Sequence, residues 1–225
     1  MQERNLSWHN SVWGVLHKDF LCELRTRYAW NSLLMFALTT LSTISMTSTV
    51  AELSPPLTAM LLWVIIFFCA MAGLARSFVQ EQESGTLFTL RQYGRGQAIL
   101  VGKLLFNALL LQSVTVLLLP LFIILLNVEI HLWWQLFAVL FLGTLGIAAV
   151  STLTALMVSS TNAKASLFTV ITFPVLLPHY LNSVLVTGQI LNDTPPEWLN
   201  FTFLFGYDVT IIAVASLLFD YIWYD

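Results

Sequence analysis

The chain has 225 residues, of which 58% are hydrophobic and 9% charged, with a formal net charge of −3 and a mean hydropathy of +0.81. Soluble domains carry about 25% charged residues, so this composition excludes an ordinary soluble globular protein, while the small net charge by itself says nothing about nucleic acid. The length has room for about six helical membrane spans and no separate soluble domain.

Residues 12–28 place Trp13, Leu16, Phe20 and Leu24 at three- and four-residue steps, with His17, Lys18, Glu23, Arg25 and Arg27 mostly off that stripe. The periodicity predicts an amphipathic helix lying along the membrane surface, with Glu23 and Arg27 as an i,i+4 pair. The first apolar run begins near Asn31, too late for a cleavable signal. Spans are predicted at about residues 31–50, 57–78, 104–127, 133–159, 165–186 and 201–223. The first is rich in Ser and Thr, whose hydroxyls either bond their own helix or reach a neighbour. Ala70, Ala72, Gly73 and Ala75 end the second, and Gly143, Gly146, Ala148 and Ala149 lie in the fourth. Both patches permit close helix approach. Pro120 predicts a kink in the third span, and Pro174 and Pro178 a kinked or broken fifth. Cys22 and Cys69 fit no metal-ligand spacing and are expected as free thiols.

Basic residues orient the chain. Arg4, Lys18, Arg25 and Arg27 precede the first span, Arg76, Arg91, Arg95 and Lys103 lie between the second and third, and Lys164 lies between the fourth and fifth. Six spans put all nine on one side, which the positive-inside rule makes cytoplasmic, with both termini.

The polar segment from 75 to 103 is far longer than a simple connection requires. Helical tendency continues to Ser84, Gly85 allows a bend, and residues 86–93 favour a short second helix. We expect a cytoplasmic lever at 76–96, with Arg76, Glu81, Glu83, Gly85, Leu87, Leu90 and Arg91 meeting a soluble partner; the plainer alternative is a solvated loop. Gly96–Leu104 only superficially resembles a phosphate loop. Five residues rather than four separate the glycines, and Leu104 stands where Ser or Thr would bind magnesium. An energy-coupling element without a nucleotide site points to a separate ATPase, and no paired acids, HExxH or Ser/His/Asp grouping in the spans points to a membrane enzyme.

The text KDFLCELRTRY before the first span, MAGLARSFVQEQESGTLFTLR, GKLLFN and the C-terminal GYDVTIIAVASLLFDYIWYD resembles membrane subunits of ABC-2 type transporters. Within them, it is similar to the haem exporter protein B (CcmB) family of cytochrome c maturation. The resemblance runs from about Lys18 to the C-terminus and is most specific over 72–107. It implies an all-α, six-span permease in the cell inner membrane. It further implies a homodimer with two copies of a CcmA-like ATPase subunit carrying ATP and magnesium, and association with CcmC-, CcmD- and CcmE-like proteins. No tightly bound cofactor and no nucleic acid partner is expected; haem is a candidate substrate. The resemblance leaves open whether the chain moves haem, moves another substrate, or acts as a non-transporting scaffold that transmits the ATPase cycle.

Two groups are candidates for further chemistry. An axial haem ligand needs His in an apolar, aromatic-lined pocket. His131 beside Trp133 and Trp134 resembles the tryptophan-rich haem motif of other maturation proteins, although Gln135 follows where that motif has Asp; an interfacial aromatic belt is the alternative. His179, after Pro178 in or near the outer half of the fifth span, is the other candidate. Asp208 lies several residues into the sixth span, where an acid is either functional or satisfied by a partner or water. No other charge is expected at that depth.

Overall fold

In a computed structural model, residues 8–48, 53–74, 96–159 and 166–224 are described. Among them the chain forms seven helices: α1 (Trp8–Thr26), α2 (Tyr28–Ser48), α3 (Pro55–Leu74), α4 (Gly96–Leu126), α5 (Trp133–Ser159), α6 (Ser166–Leu191) and α7 (Trp198–Tyr224). The fold is all-α, and five helices, α3 to α7, are long and apolar enough to cross a membrane. With water absent from a hydrocarbon core, a spanning segment must satisfy its backbone internally, and a helix does so. Helix α2 has 21 residues, about 31 Å against a core of about 30 Å, but its many hydroxyls leave it less apolar than the other five. Those hydroxyls divide as follows. Thr39 and Thr43 donate to the carbonyls of Met35 and Thr39 in their own helix, whereas Ser45 reaches the Leu125 carbonyl of α4 at 2.9 Å.

Helix α5 is the hub. It packs against α3, α4, α6 and α7, and 72% of its apolar window is buried, against 17% for α7. Its small residues make this close packing feasible. Ala148 and Ala149 are fully buried, and a Cβ at Gly143 would overlap the Trp63 indole of α3. Trp63 in turn donates its Nε1–H to Thr187 Oγ1 of α6 at 2.8 Å. Thr154 and Thr172 join α5 to α6 at 2.8 Å, and Asn107 of α4 donates to Thr152 of α5 at 2.8 Å. Such interhelical bonds average about 0.6 kcal/mol in a membrane protein. They fix rotation and register more than they supply stability. Gly73, in the other small-residue patch, receives the Leu33 side chain of α2.

Pro120 lies inside α4, and Pro174 and Pro178 lie inside α6; α6 runs through both prolines as one helix. The third apolar helix begins at Gly96, so residues 96–103, expected in the polar segment, form the first two turns of α4. The physical reason is burial. Ala98, Ile99 and Leu100 enter the core, Gly102 lies against Val15 of α1, and Lys103 finds an acid there.

Helix α1 buries a face that the periodicity did not single out. Ser11, Val15 and Asp19, at four-residue steps, are the buried edge. The stripe of Trp13, Phe20 and Leu24 is exposed, as an apolar face turned toward lipid would be. Arg27 adopts φ 50 between α1 and α2 and so leaves the helix on which it would pair with Glu23. Glu23 instead accepts the Trp30 backbone N–H at 2.9 Å, satisfying a donor in the first turn of α2.

Candidate functional site

Two places in the bundle hold polar groups that a lipid-embedded protein would not keep without a use. The first lies at the end that carries Arg25, Arg27 and Lys103. Residues 75–95 leave from α3 and return into α4 there. The coupling candidates Arg76, Glu81, Glu83, Gly85, Leu87, Leu90 and Arg91 fall outside the described residues. What is described is their anchorage. Lys103 Nζ lies 3.0 Å from Asp19 Oδ2, with the two side chains 3% and 8% exposed, and Lys18 Nζ lies 3.3 Å from Asp19 Oδ1. Removing one member of a buried ion pair costs about 3–5 kcal/mol because the other is left uncompensated. The surface-type helix α1 is therefore clamped to the entry of α4.

The second place is at the middle of the bundle. His179 is twelve residues from the end of α6, about 18 Å along the helix, at the inner edge of the outer half expected from sequence. Asp208 is ten residues from the start of α7, about 15 Å along it. The two side chains, on different helices, face each other: His179 Nδ1 lies 3.6 Å from Asp208 Oδ1, and both are almost wholly buried. Asp208 thus has a titratable neighbour at its own depth, which sequence distance conceals. Gly146 of α5 makes the meeting feasible, since a Cβ there would overlap both the imidazole and the carboxyl group. His179 Nε2 lies 3.2 Å from the Gly143 carbonyl, and the Tyr207 ring packs over the imidazole at 5.1 Å between centroids. The Tyr207 hydroxyl is engaged elsewhere, donating to the Val175 carbonyl. An unneutralised acid at the centre of a membrane helix costs about 2.5–3.5 kcal/mol even on the mildest scale, so this arrangement is not incidental to packing.

The remaining candidates lie at the opposite end. His131 Nδ1 is 3.0 Å from Asp193 Oδ1, both well exposed, which joins the α4–α5 and α6–α7 connections at one end of the bundle. Trp133 stacks on Phe137, while Trp134 and Trp198 are 85% and 86% exposed. The structure therefore brings His179 to Asp208, but not to His131 and its tryptophans. Both ring nitrogens of His179 already face protein atoms. The contribution of Gly146 and Asp19 was not assigned from sequence; a glycine in the small-residue patch of α5 was the only available hint of the first.

A family model described as CcmB protein matches residues 10–220. No curated protein matches the chain. With nearly the whole polytopic helical chain inside that match, the chain belongs to the CcmB family, membrane components of haem export for cytochrome c maturation.

Proposed function

We propose that this chain is the permease subunit of an ABC-type complex, coupling ATP hydrolysis by a separate CcmA-like subunit to haem export or to release of the haem chaperone. In this reading α2 is the first of six spans, with α3 to α7 the other five, the chain lies in the inner membrane with both termini cytoplasmic, and residues 76–96 receive the ATPase. Two copies of the chain bind two ATPase subunits and associate with CcmC-, CcmD- and CcmE-like proteins. The observation that supports it best is the Asp19–Lys103 clamp. A force applied to residues 75–95 passes directly to α3 and α4, and the clamp extends it to α1. All Lys and Arg residues fall on that side of a six-span chain, where a soluble ATPase would bind.

A second reading, a scaffold that passes the ATPase cycle to a neighbour without carrying haem, is favoured by the closure around His179, whose ring is fully buried between the Gly143 carbonyl, Tyr207 and Asp208. Purification of the tagged chain from native membranes, with mass measurement, ATP turnover and haem spectra of the complex, tests both. A complex with two copies of each subunit and ATP-dependent haem movement in vesicles is expected for the permease. Turnover without haem movement rules out haem export by this chain and leaves chaperone release, another substrate or the scaffold, and a chain that retains no ATPase subunit overturns both.

A further inference from the structure

The hydrogen-bond roles around His179 settle where protons can be. Nε2 faces the Gly143 carbonyl at 3.2 Å. A carbonyl only accepts, so Nε2 carries the hydrogen, and in a neutral imidazole Nδ1 is then a bare acceptor. Nδ1 points at Asp208 Oδ1, 3.6 Å away, and an ionised carboxylate is also acceptor-only. Nδ1 and both carboxyl oxygens are buried without a hydrogen-bond partner. Two acceptors facing one another away from solvent are mutually repulsive. One proton placed on either turns the contact into a donor–acceptor pair.

Among the described residues the surroundings offer no other relief. Helices α3, α5 and α6 contain no Asp, Glu, Lys or Arg. On α4, Lys103 is held by Asp19 far toward the basic end, and on α7 Asp220 lies more than three turns beyond Asp208. Among the described residues the titratable group against the site is Tyr207, whose hydroxyl is spent on Val175; the adjacent Tyr180 packs against Phe67 of α3. Neither provides a counter-charge.

We propose that His179 and Asp208 form a proton-binding site at the centre of the membrane body, holding one proton between them. The proton either makes Asp208 a carboxylic acid beside a neutral imidazole or makes an imidazolium beside a carboxylate; both forms are electrically neutral. Gly146 permits the approach, so the site belongs to the junction of α5, α6 and α7 rather than to any one helix. Water reaching this junction would exchange the proton with the side from which it came.

The test uses the full chain with its native partners in lipid vesicles and needs no ATP turnover, so its outcome is independent of the coupling function proposed above. Replacing His9, His17 and His131 by Gln leaves His179 as the single histidine, and nitrogen-15 labelling then reads its protonation without altering the site. Carbon-13 labelling of aspartate, with Asp208→Asn as the difference reference, identifies the Asp208 carboxyl band in the infrared. Near neutral pH the two signals should add up to one proton: acid with neutral imidazole, or carboxylate with imidazolium. His179→Gln should leave Asp208 as the acid. A neutral imidazole beside an ionised Asp208 would overturn the proposal, as would an imidazolium beside a protonated Asp208.

Discussion

Asp19 and Lys103 are 84 residues apart in the chain and meet as a buried ion pair. The contact joins a helix with an exposed apolar stripe to the helix that follows the polar segment. Lys103→Met should leave Asp19 buried beside the half-exposed Lys18 alone and lower stability by about 3 kcal/mol. The double variant Asp19→Leu/Lys103→Met should recover most of that loss, since an apolar pair needs no compensation. Thermal unfolding in detergent measures both; a double variant as unstable as the single one would show that the pair is not the clamp.

Gly143 and Trp63 make the tightest seam between α5 and α3. Gly143→Ala forces the indole to shift, and overpacking of this kind costs about 1–3 kcal/mol. Trp63→Leu, although destabilising alone, should relieve the collision. In a double-mutant cycle the combined loss should therefore fall below the sum of the single losses. Strict additivity would mean that the two helices do not meet there.

The topology can be read by labelling. In a background with Cys22→Ser and Cys69→Ala, single cysteines at Ala51, Glu129 and Asn192 should react with an impermeant reagent added outside. Those at Gln92 and Asn162 should not. Reaction of Gln92 from outside would remove the coupling segment from the cytoplasmic side and refute the proposed function.

Coupling can be separated from insertion. Glu81→Lys and Glu83→Lys add positive charge to a segment that already carries Arg76 and Arg91 and oppose a complementary partner; Gly85→Val removes the one residue of residues 76–93 that is free to adopt a positive φ without strain. The three changes leave every described helix intact, so the amount of chain in the membrane should be unchanged. Cytochrome c maturation in cells should fall at least tenfold, the equivalent of about 1.4 kcal/mol of lost coupling. Full maturation with all three changes would make residues 76–96 a solvated loop.

Hydropathy is a local property, and so the apolar helices and the small-residue patches can be read from the amino-acid order, whereas the break at Arg27 between α1 and α2 could not. A run of 20 or more uncharged apolar residues must form a helix in lipid whatever surrounds it. Local order also singled out His179 and Asp208 as unusual, because a polar group in such a run stands out without any knowledge of packing. It could not pair them. Their helices meet through the rotation and register imposed by Gly143 and Gly146, and those are set by the packing of α5 against α3, α6 and α7 together. The same holds for Lys103. The polarity of residues 96–103 suggests a loop, and the pairing with Asp19, brought from a helix 84 residues earlier, helps a lysine sit buried in the first turns of α4. Charge and hydropathy thus determine which segments enter the membrane, whereas the partners of the few polar groups carried in with them are decided by tertiary contacts, because neutralising a buried charge requires an atom within a few ångströms, and sequence separation does not measure that distance.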